Sequence, residues 1–489
     1  MADFALRGLF EHDTALIEVS PDGQERQFPL KTLRRAAGNL ASLLSDQGVK
    51  PQDCVALIGD NSAEHFVALL GVLMARAVAC PINTKLPASD QLALIEQAGV
   101  SAIIADPDPE GIGAGMITVA LSNIFKIGEG EPTDLTGSPN DLALIMYTSG
   151  SSGLPKGVPI THYGYSWALE QFLTLGDTMR GKPGIVAAPL FHMNGQFHLL
   201  NMLSVGMPVI LMKRFDPVQM LEAIGRHGVA RVTGVPTMAA LMAEAVEQGR
   251  AEAPQSIEQI GLGSAPLSDT LYARLSRLFV NASVTNGYGT TETGPGSFGP
   301  HLDGKPTPPT ALGCPLKGVE MRLVGGSGLD NGILELRNPM TLSGYWKNPS
   351  ASREKVDGDG WYHTGDRMVR DADGFYYFDG RADDMLQVGG ENVHPQEVEQ
   401  RLERHPDVTA AAVVGVPHAT KHEAPVAFVV CGEPTLDEAA LKRFSLEHGP
   451  AYAHPRRIFF IDELPLAATR KVDRKGLRED ALQRLGGSL

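Results

Sequence analysis

Between Tyr147 and Gly157 the chain reads Tyr147-Thr148-Ser149-Gly150-Ser151-Ser152-Gly153-Leu154-Pro155-Lys156-Gly157, with three glycines, four small hydroxyl side chains and one lysine in eleven positions. Glycines free a loop for positive φ and for close approach of backbone N–H groups to a ligand. Hydroxyls and a lysine add donors and positive charge, so this loop suits a polyphosphate. It is not a P-loop, which needs Gly directly before the Lys and Ser or Thr after it. Here Pro155 precedes Lys156 and Gly157 follows.

Three further strings carry chemistry of the same kind. In Asn286-Gly287-Tyr288-Gly289-Thr290-Thr291-Glu292-Thr293 an aromatic face able to stack on a purine stands close to hydroxyls and a carboxylate. Such a carboxylate suits Mg²⁺, a hard cation that prefers oxygen ligands. In Tyr362-His363-Thr364-Gly365-Asp366 a carboxylate follows a glycine, and a carboxylate can accept from two hydroxyl donors at once. In Gly261-Leu262-Gly263-Ser264-Ala265-Pro266-Leu267 the Pro breaks the dinucleotide pattern, so the segment reads as a strand-to-helix turn.

The elements around these strings alternate between short apolar runs and helical patterns. Val55 to Ile58, Ala102 to Ala105, Ile185 to Ala188, Val209 to Met212, Arg231 to Gly234 and Gln259 to Leu262 read as strands. Ala63 to Ala79 is predicted as a helix, with Phe66, Leu69, Leu70 and Leu73 on one face and Asn61 and Glu64 as a capping-box start. Pro217 to Gly225 and Thr237 to Gln248 are further helices. This alternation predicts helix-covered, mostly parallel sheets. From about Gly313 the pattern turns to β, with Val319 to Val324, Gly332 to Arg337 and Phe375 to Phe378. After Arg381 come a helix at Pro395 to Arg404, strands at Ala410 to Val416 and Val426 to Cys431, a helix at Leu436 to His448 and a strand at Arg457 to Ile461. That makes a small α+β unit able to fold by itself.

A length of 489 residues calls for more than one domain. The net charge of −15 argues against nucleic acid or an anionic membrane as partner. The basic cluster Arg470, Lys471, Arg474, Lys475 and Arg478 is short, and by composition alone reads as a solvated face. Four scattered cysteines with no CxxC pair predict neither a zinc site nor a disulfide framework. No apolar run is long enough to span a bilayer, and residues 1–7 lack a signal-peptide layout. A cytoplasmic enzyme is the expectation.

The Tyr147–Gly157 string resembles the phosphate loop of the adenylate-forming superfamily, which includes acyl-CoA synthetases, adenylation domains of peptide synthetases and luciferases. Ser151 and Ser152 stand where the family usually has Thr. The resemblance extends through six ordered motifs, from about residue 28 to about residue 478. It implies that Thr148, Ser149, Gly150, Ser151, Ser152, Gly153 and Lys156 hold phosphates, and that Gly263, Ser264 and Ala265 lie along the adenine. Asn286, Gly287, Tyr288 and Gly289 belong to the nucleotide pocket, with Tyr288 against the base. Thr291 takes an α-phosphate oxygen and Glu292 the Mg²⁺. Asp366 takes the ribose hydroxyls, and Arg381 the ribose or phosphate side. Asp383 falls at the family's hinge. Leu464 to Arg474 resembles the motif of the adenylation lysine, here Lys471, six residues after Pro465, with Arg470 where a Gly is usual.

Pro189 to Gln196 resembles the acyl-pocket segment. His192 occupies the place of an Asp that binds the ammonium group in amino-acid-activating relatives, which speaks against an amino acid substrate. Met193, Asn194, Gln196, Met238 and Met242 would then make a partly apolar, adaptable pocket. Gly390 falls where CoA-using relatives leave space for the pantetheine arm. Lys471, Thr148, Glu292 and His192 form the expected catalytic set, His192 as a pocket-lining residue and not a base.

The implied fold is α/β. A large N-terminal domain of helix-covered sheets with a β-rich subdomain spans 1–382, and a small mobile α+β C-terminal domain spans 383–489. The implied activity is that of an AMP-forming acid–thiol ligase using ATP, Mg²⁺, a carboxylic acid and coenzyme A. Transfer to a carrier-protein phosphopantetheine and a non-catalytic nucleotide-binding role are the alternatives.

Overall fold

In the protein, seen here as a computed structural model, residues 6, 9–106, 116–128, 137–148, 155–326, 328–382, 384–388, 391–418, 422–432, 436–467 and 471–487 are described. Two helix-covered sheets make up most of the large N-terminal part. One orders its strands Ile117–Ala120, Val100–Ala105, Cys54–Ile58, Val78–Ile82, Leu142–Thr148 and Lys156–Thr161. All its pairings are parallel except the last, a hairpin of Leu142–Thr148 with Lys156–Thr161. The other orders Ser283–Gly287, Gln259–Gly263, Arg231–Gly234, Gly184–Val186, Val209–Met212, Ala15–Val19 and Glu25–Pro29, again parallel but for a terminal hairpin. Strands such as Cys54–Ile58 and Val209–Met212 are buried at every position, which is why they read as unbroken apolar runs.

The helices Leu30–Asp46 and Ala63–Met74 close on each other at Gly71, where a Cβ would lie 2.6 Å from Leu40 Cδ2 and 3.0 Å from the Ala37 carbonyl. The β-rich part is an antiparallel sheet of Glu320–Val324, Asn331–Arg337, Tyr362–Arg370 and Tyr376–Arg381. The C-terminal unit has a separate mixed sheet, in which Val408–His418 pairs with His422–Cys431 and Arg457–Phe460 joins in parallel. Its helix Pro395–Glu403 packs on that sheet through Val398 and Leu402. Large and small domains thus follow the expected α/β plan.

The helix expected over Ala63 to Ala79 stops at Met74, and Val78–Ile82 is a strand. Arg76 adopts φ 59° and turns the chain, so one apolar run serves two elements. The cap also differs from expectation. Ser62 accepts from His65 N–H, while Asn61 is buried and turned to the neighbouring sheet. Asn61 Nδ2 donates to the Ala188 and Met212 carbonyls at 3.0 and 3.1 Å, and its Oδ1 accepts from Leu190 N–H at 2.8 Å. Arg474 and Arg478 of the basic cluster are structural. Arg474 pairs with Glu399 and donates to the Val413 carbonyl, and Arg478 donates to the Gly415 carbonyl.

Two predictions concern these joints. Asn61→Ala removes both sides of a three-bond bridge and leaves buried backbone groups unpaired, at a cost of about 3 kcal/mol; urea denaturation would read it, and a loss near zero contradicts the bridge. Glu403 lies where the small domain meets the Asp269–Leu278 helix, its carbonyl accepting from Thr270 Oγ1 and its carboxylate from Ala411 N–H. Burial, then the nearby Glu399, raise its pKa from 4.5 to about 7. An acid bound more tightly to its proton when folded stabilises fully at low pH, and that stabilisation is lost as pH rises from 4.5 through about 7. Glu403→Gln should therefore flatten the fall in Tm between about pH 5 and about pH 8; an unaltered slope contradicts it.

Candidate active site

Asp366, Arg381, Glu292 and His192 of the large domain stand within charge range of Lys471 from the C-terminal unit. Asp366, on the Tyr362–Arg370 strand, is 4% exposed and held from two sides. Arg381 Nη1 donates to its Oδ1 at 2.9 Å, and Tyr288 OH donates to its Oδ2 at 2.5 Å. Burial raises the Asp366 pKa, and the Arg381 charge opposes that rise. Burial, with Asp366 beside it, raises the Tyr288 phenol well above its ordinary value. Register explains the pairing, because Asp366 lies opposite Arg381 on the neighbouring strand.

Glu292 is 9% exposed, and its Oε1 accepts from Tyr345 OH at 2.9 Å. Thr291, half-buried, precedes it in the same turn. Gly289 is required there, since a Cβ would fall 2.4 Å from the Gly294 carbonyl oxygen. Lys156 opens the second strand of the hairpin opposite Thr148, whose hydroxyl donates to the Lys156 carbonyl at 3.5 Å. The Lys156 ammonium stands 5.3 Å from the centre of the Tyr345 ring. Tyr345 therefore links Lys156 to Glu292, a connection across nearly two hundred positions that local pattern does not reveal. Ser149, Gly150, Ser151, Ser152 and Gly153 lie outside the described residues, as do Asp383 and Gly390.

Gly263 ends one strand beside Gly287 of the next, where a Cβ on Gly263 would stand 3.1 Å from the Gly287 carbonyl oxygen. The pair makes a side-chain-free ledge, continued by Ser264, at φ 66°, and Ala265. Asn286 points elsewhere: its Nδ2 donates to the Thr310 carbonyl at 2.8 Å and holds that loop. His192 precedes the Met193–Ser204 helix as its N-cap residue. Burial, then the charges of Lys471 and Lys85, lower its pKa to about 4, so it is neutral near pH 7. Its buried Nε2 has no hydrogen-bond partner among the described residues. Met238 and Met242 lie across the sheet from this helix, in the core with Met220, Leu275 and Phe279, and not beside His192.

Lys471 reaches these residues from the C-terminal unit. Its neck is fixed by Ala467 N–H donating to the Lys471 carbonyl at 2.8 Å and by a bridge of Leu466 with Val472. The side chain keeps contact with water, yet protein crowds it closely enough that desolvation lowers its pKa. Asp366 and Glu292 act against that lowering, and Arg381 adds to it. One ammonium thus senses Asp366, Arg381, Glu292 and His192 of the large domain at once.

The family model described as AMP-binding enzyme matches residues 10–346, and that of the AMP-binding enzyme C-terminal domain matches 397–471. The chain belongs to the AMP-binding enzyme family. Among curated AMP-binding enzymes, the feruloyl-CoA synthase of an Amycolatopsis species is 32% identical over 452 residues, covering 90% of this chain and 91% of that one. ATP-bound MatB from Rhodopseudomonas palustris superposes with a TM-score of 0.88 at 26% identity, over 98% of this chain and 99% of that one. The O-succinylbenzoate coenzyme A synthetase (MenE) of Bacillus subtilis, in complex with ATP and magnesium ion, gives 0.81 at 28% identity over 98% and 99%. The chain falls in the acyl-CoA synthetase branch of these enzymes.

A magnesium site in an AMP-binding enzyme must fit the donors present. Among the described residues no three His, Cys, Asp or Glu side chains cluster to hold a metal. Glu292 alone remains, with its Oε1 also engaged by Tyr345. Mg²⁺ commonly takes one or two carboxylates and completes its shell with substrate phosphates and water. A single buried carboxylate, joined through Tyr345 to the neighbourhood of Lys156, fits that habit.

Proposed function

We infer that the chain is an ATP-dependent carboxylate–CoA ligase. A carboxylate oxygen attacks the α-phosphorus of ATP, the bond to pyrophosphate breaks, and an acyl-adenylate forms. The thiol of coenzyme A then attacks the acyl carbon, AMP leaves with the C–O bonding pair, and the thiol proton passes to solvent. The observation that carries this reading is the convergence of Lys471 with Asp366, Arg381, Glu292 and His192 across two domains.

In this reading Asp366 binds the ribose hydroxyls, its orientation fixed by Tyr288 and Arg381. The ledge of Gly263, Ser264 and Ala265 takes the flat adenine, with Tyr288 at its side. Thr148, Lys156 and the hydroxyls of residues 149–152 hold the phosphates, and Thr291 the α-phosphate. Glu292 would hold Mg²⁺, which neutralises phosphate charge. Lys471 spans nucleotide and acid, where a fixed positive charge stabilises charge developing in the transition state. His192, neutral, lines the entry of the acyl group and leaves its Nε2 available to it. The domains divide at 382 and 383, and rotation about Asp383 withdraws Lys471 and brings Gly390 to the thiol. The cysteine pattern supports a cytoplasmic setting, and among the described residues no helix is long and apolar enough to cross a membrane.

Half-reactions test the assignment. Lys471→Ala should slow acyl-adenylate formation by about 100-fold or more, while thioester formation from supplied acyl-adenylate and free coenzyme A changes little. Equal loss in both halves contradicts the role given to Lys471. Failure with free coenzyme A, but success with a carrier-bound phosphopantetheine, contradicts the choice of acceptor.

A further inference from the structure

Arg231 opens the strand Arg231–Gly234 in the middle of the seven-stranded sheet, and it is 9% exposed. It pairs in register with Gly184 and Gln259. A buried guanidinium is ordinarily matched by a carboxylate, because an unpaired charge in a protein interior is costly. Among the described residues Arg231 shows no such match: its buried Nε lacks any partner, and no neighbouring charge acts on it. Burial alone lowers its pKa.

The direction of the guanidinium follows from the sheet. Gly184, beside Arg231, lies under the Met193–Ser204 helix, where a Cβ would stand 2.5 Å from Met202 Sδ. Arg231 shares this face, and its charge acts on His198 of the same helix. Burial, then Arg231, lower the His198 pKa to about 3, so the imidazole is neutral and adds no charge. That helix brings further orphaned polar atoms: His198 Nδ1, Gln196 Oε1 and both amide atoms of Asn201 are buried without partners among the described residues. Next along the same sheet face, Gly261 stands opposite Thr233, and a Cβ there would meet nothing closer than 3.8 Å. Gly261 therefore leaves the sheet face without a side chain between Arg231 and the Gly263 ledge.

This arrangement continues the acyl path given to His192, and the inference rests on that reading. We propose that Arg231 recognises a second carboxylate at the far end of the acid, making the chain selective for dicarboxylates. One fixed positive charge, surrounded by neutral donors and acceptors, fits one negative charge. The planar fork of a guanidinium matches a carboxylate with two parallel hydrogen bonds. From His192 to His198 the helix climbs about 9 Å at 1.5 Å per residue, which sets the separation of the two carboxylates near that of a medium-length diacid. An acid lacking the second carboxylate leaves the guanidinium buried and unpaired, which is the condition under which a site discriminates strongly.

The test compares acids of equal length: suberate against octanoate and adipate against hexanoate, each with ATP and coenzyme A and read by pyrophosphate release and thioester formation. The wild-type protein should favour the diacid of each pair in kcat/KM. Arg231→Met should lower the diacid-to-monoacid ratio by about 30-fold or more, and Arg231→Lys by less, since it keeps the charge without the fork. A wild-type preference for the monoacids overturns the proposal even if Arg231→Met does not fold, and so does an unchanged ratio in a folded Arg231→Met. Release of pyrophosphate with octanoate but not suberate defeats this inference alone. No release with any acid defeats the ligase reading beneath it.

Discussion

Asp366 is a carboxylate buried where three stretches of chain meet, and its placement constrains the rest of the site. Left alone, a buried ionised acid would be pushed toward protonation. Arg381 across the ladder and Tyr288 from the turn after Ser283–Gly287 supply the opposing charge and hydrogen bond. The acid thereby ties the β-rich sheet to the edge of the seven-stranded sheet. Lys471, from another domain, adds its charge to the same neighbourhood. Lys471 and Arg381 thus share one neighbourhood with the carboxylates of Asp366 and Glu292.

The large domain gives that cluster a rigid floor. Ladder register places the ends of Leu142–Thr148, Gln259–Gly263 and Ser283–Gly287, since a slip of one residue would turn every side chain to the other face. Asn61 locks one sheet to the other. The C-terminal unit, with its own core around Val398, Leu402, Val413 and Val429, meets that floor through polar contacts such as Thr270 to the Glu403 carbonyl.

Much of this was legible in the amino-acid order, for identifiable reasons. Val209–Met212 coincides with the expected strand because a buried parallel strand leaves a continuous apolar run, and Arg231–Gly234 matches its expected bounds despite its polar Arg231 and Thr233. Tyr288, Glu292, Asp366 and Arg381 were recognisable because their neighbours in sequence carry the motif, and the fold unites them. What escaped depended on partners distant in the chain. Tyr345 acquires its place from Lys156 and Glu292. Asn61 looked like a helix cap until its carbonyl partners appeared on another sheet. Arg231 is, by sequence pattern, only the first residue of a strand, since a missing counter-ion leaves no mark in spacing. Cys54 and Cys80, scattered in sequence, come to lie on adjacent strands.

The account stands on the claim that the two domains together grip a nucleotide so that an organic acid becomes joined to AMP. The most direct measurement is isotope exchange between labelled pyrophosphate and ATP, without coenzyme A, across mono- and dicarboxylic acids. The account predicts exchange that requires both the acid and Mg²⁺. Exchange at background with every acid, from correctly folded protein, would contradict it.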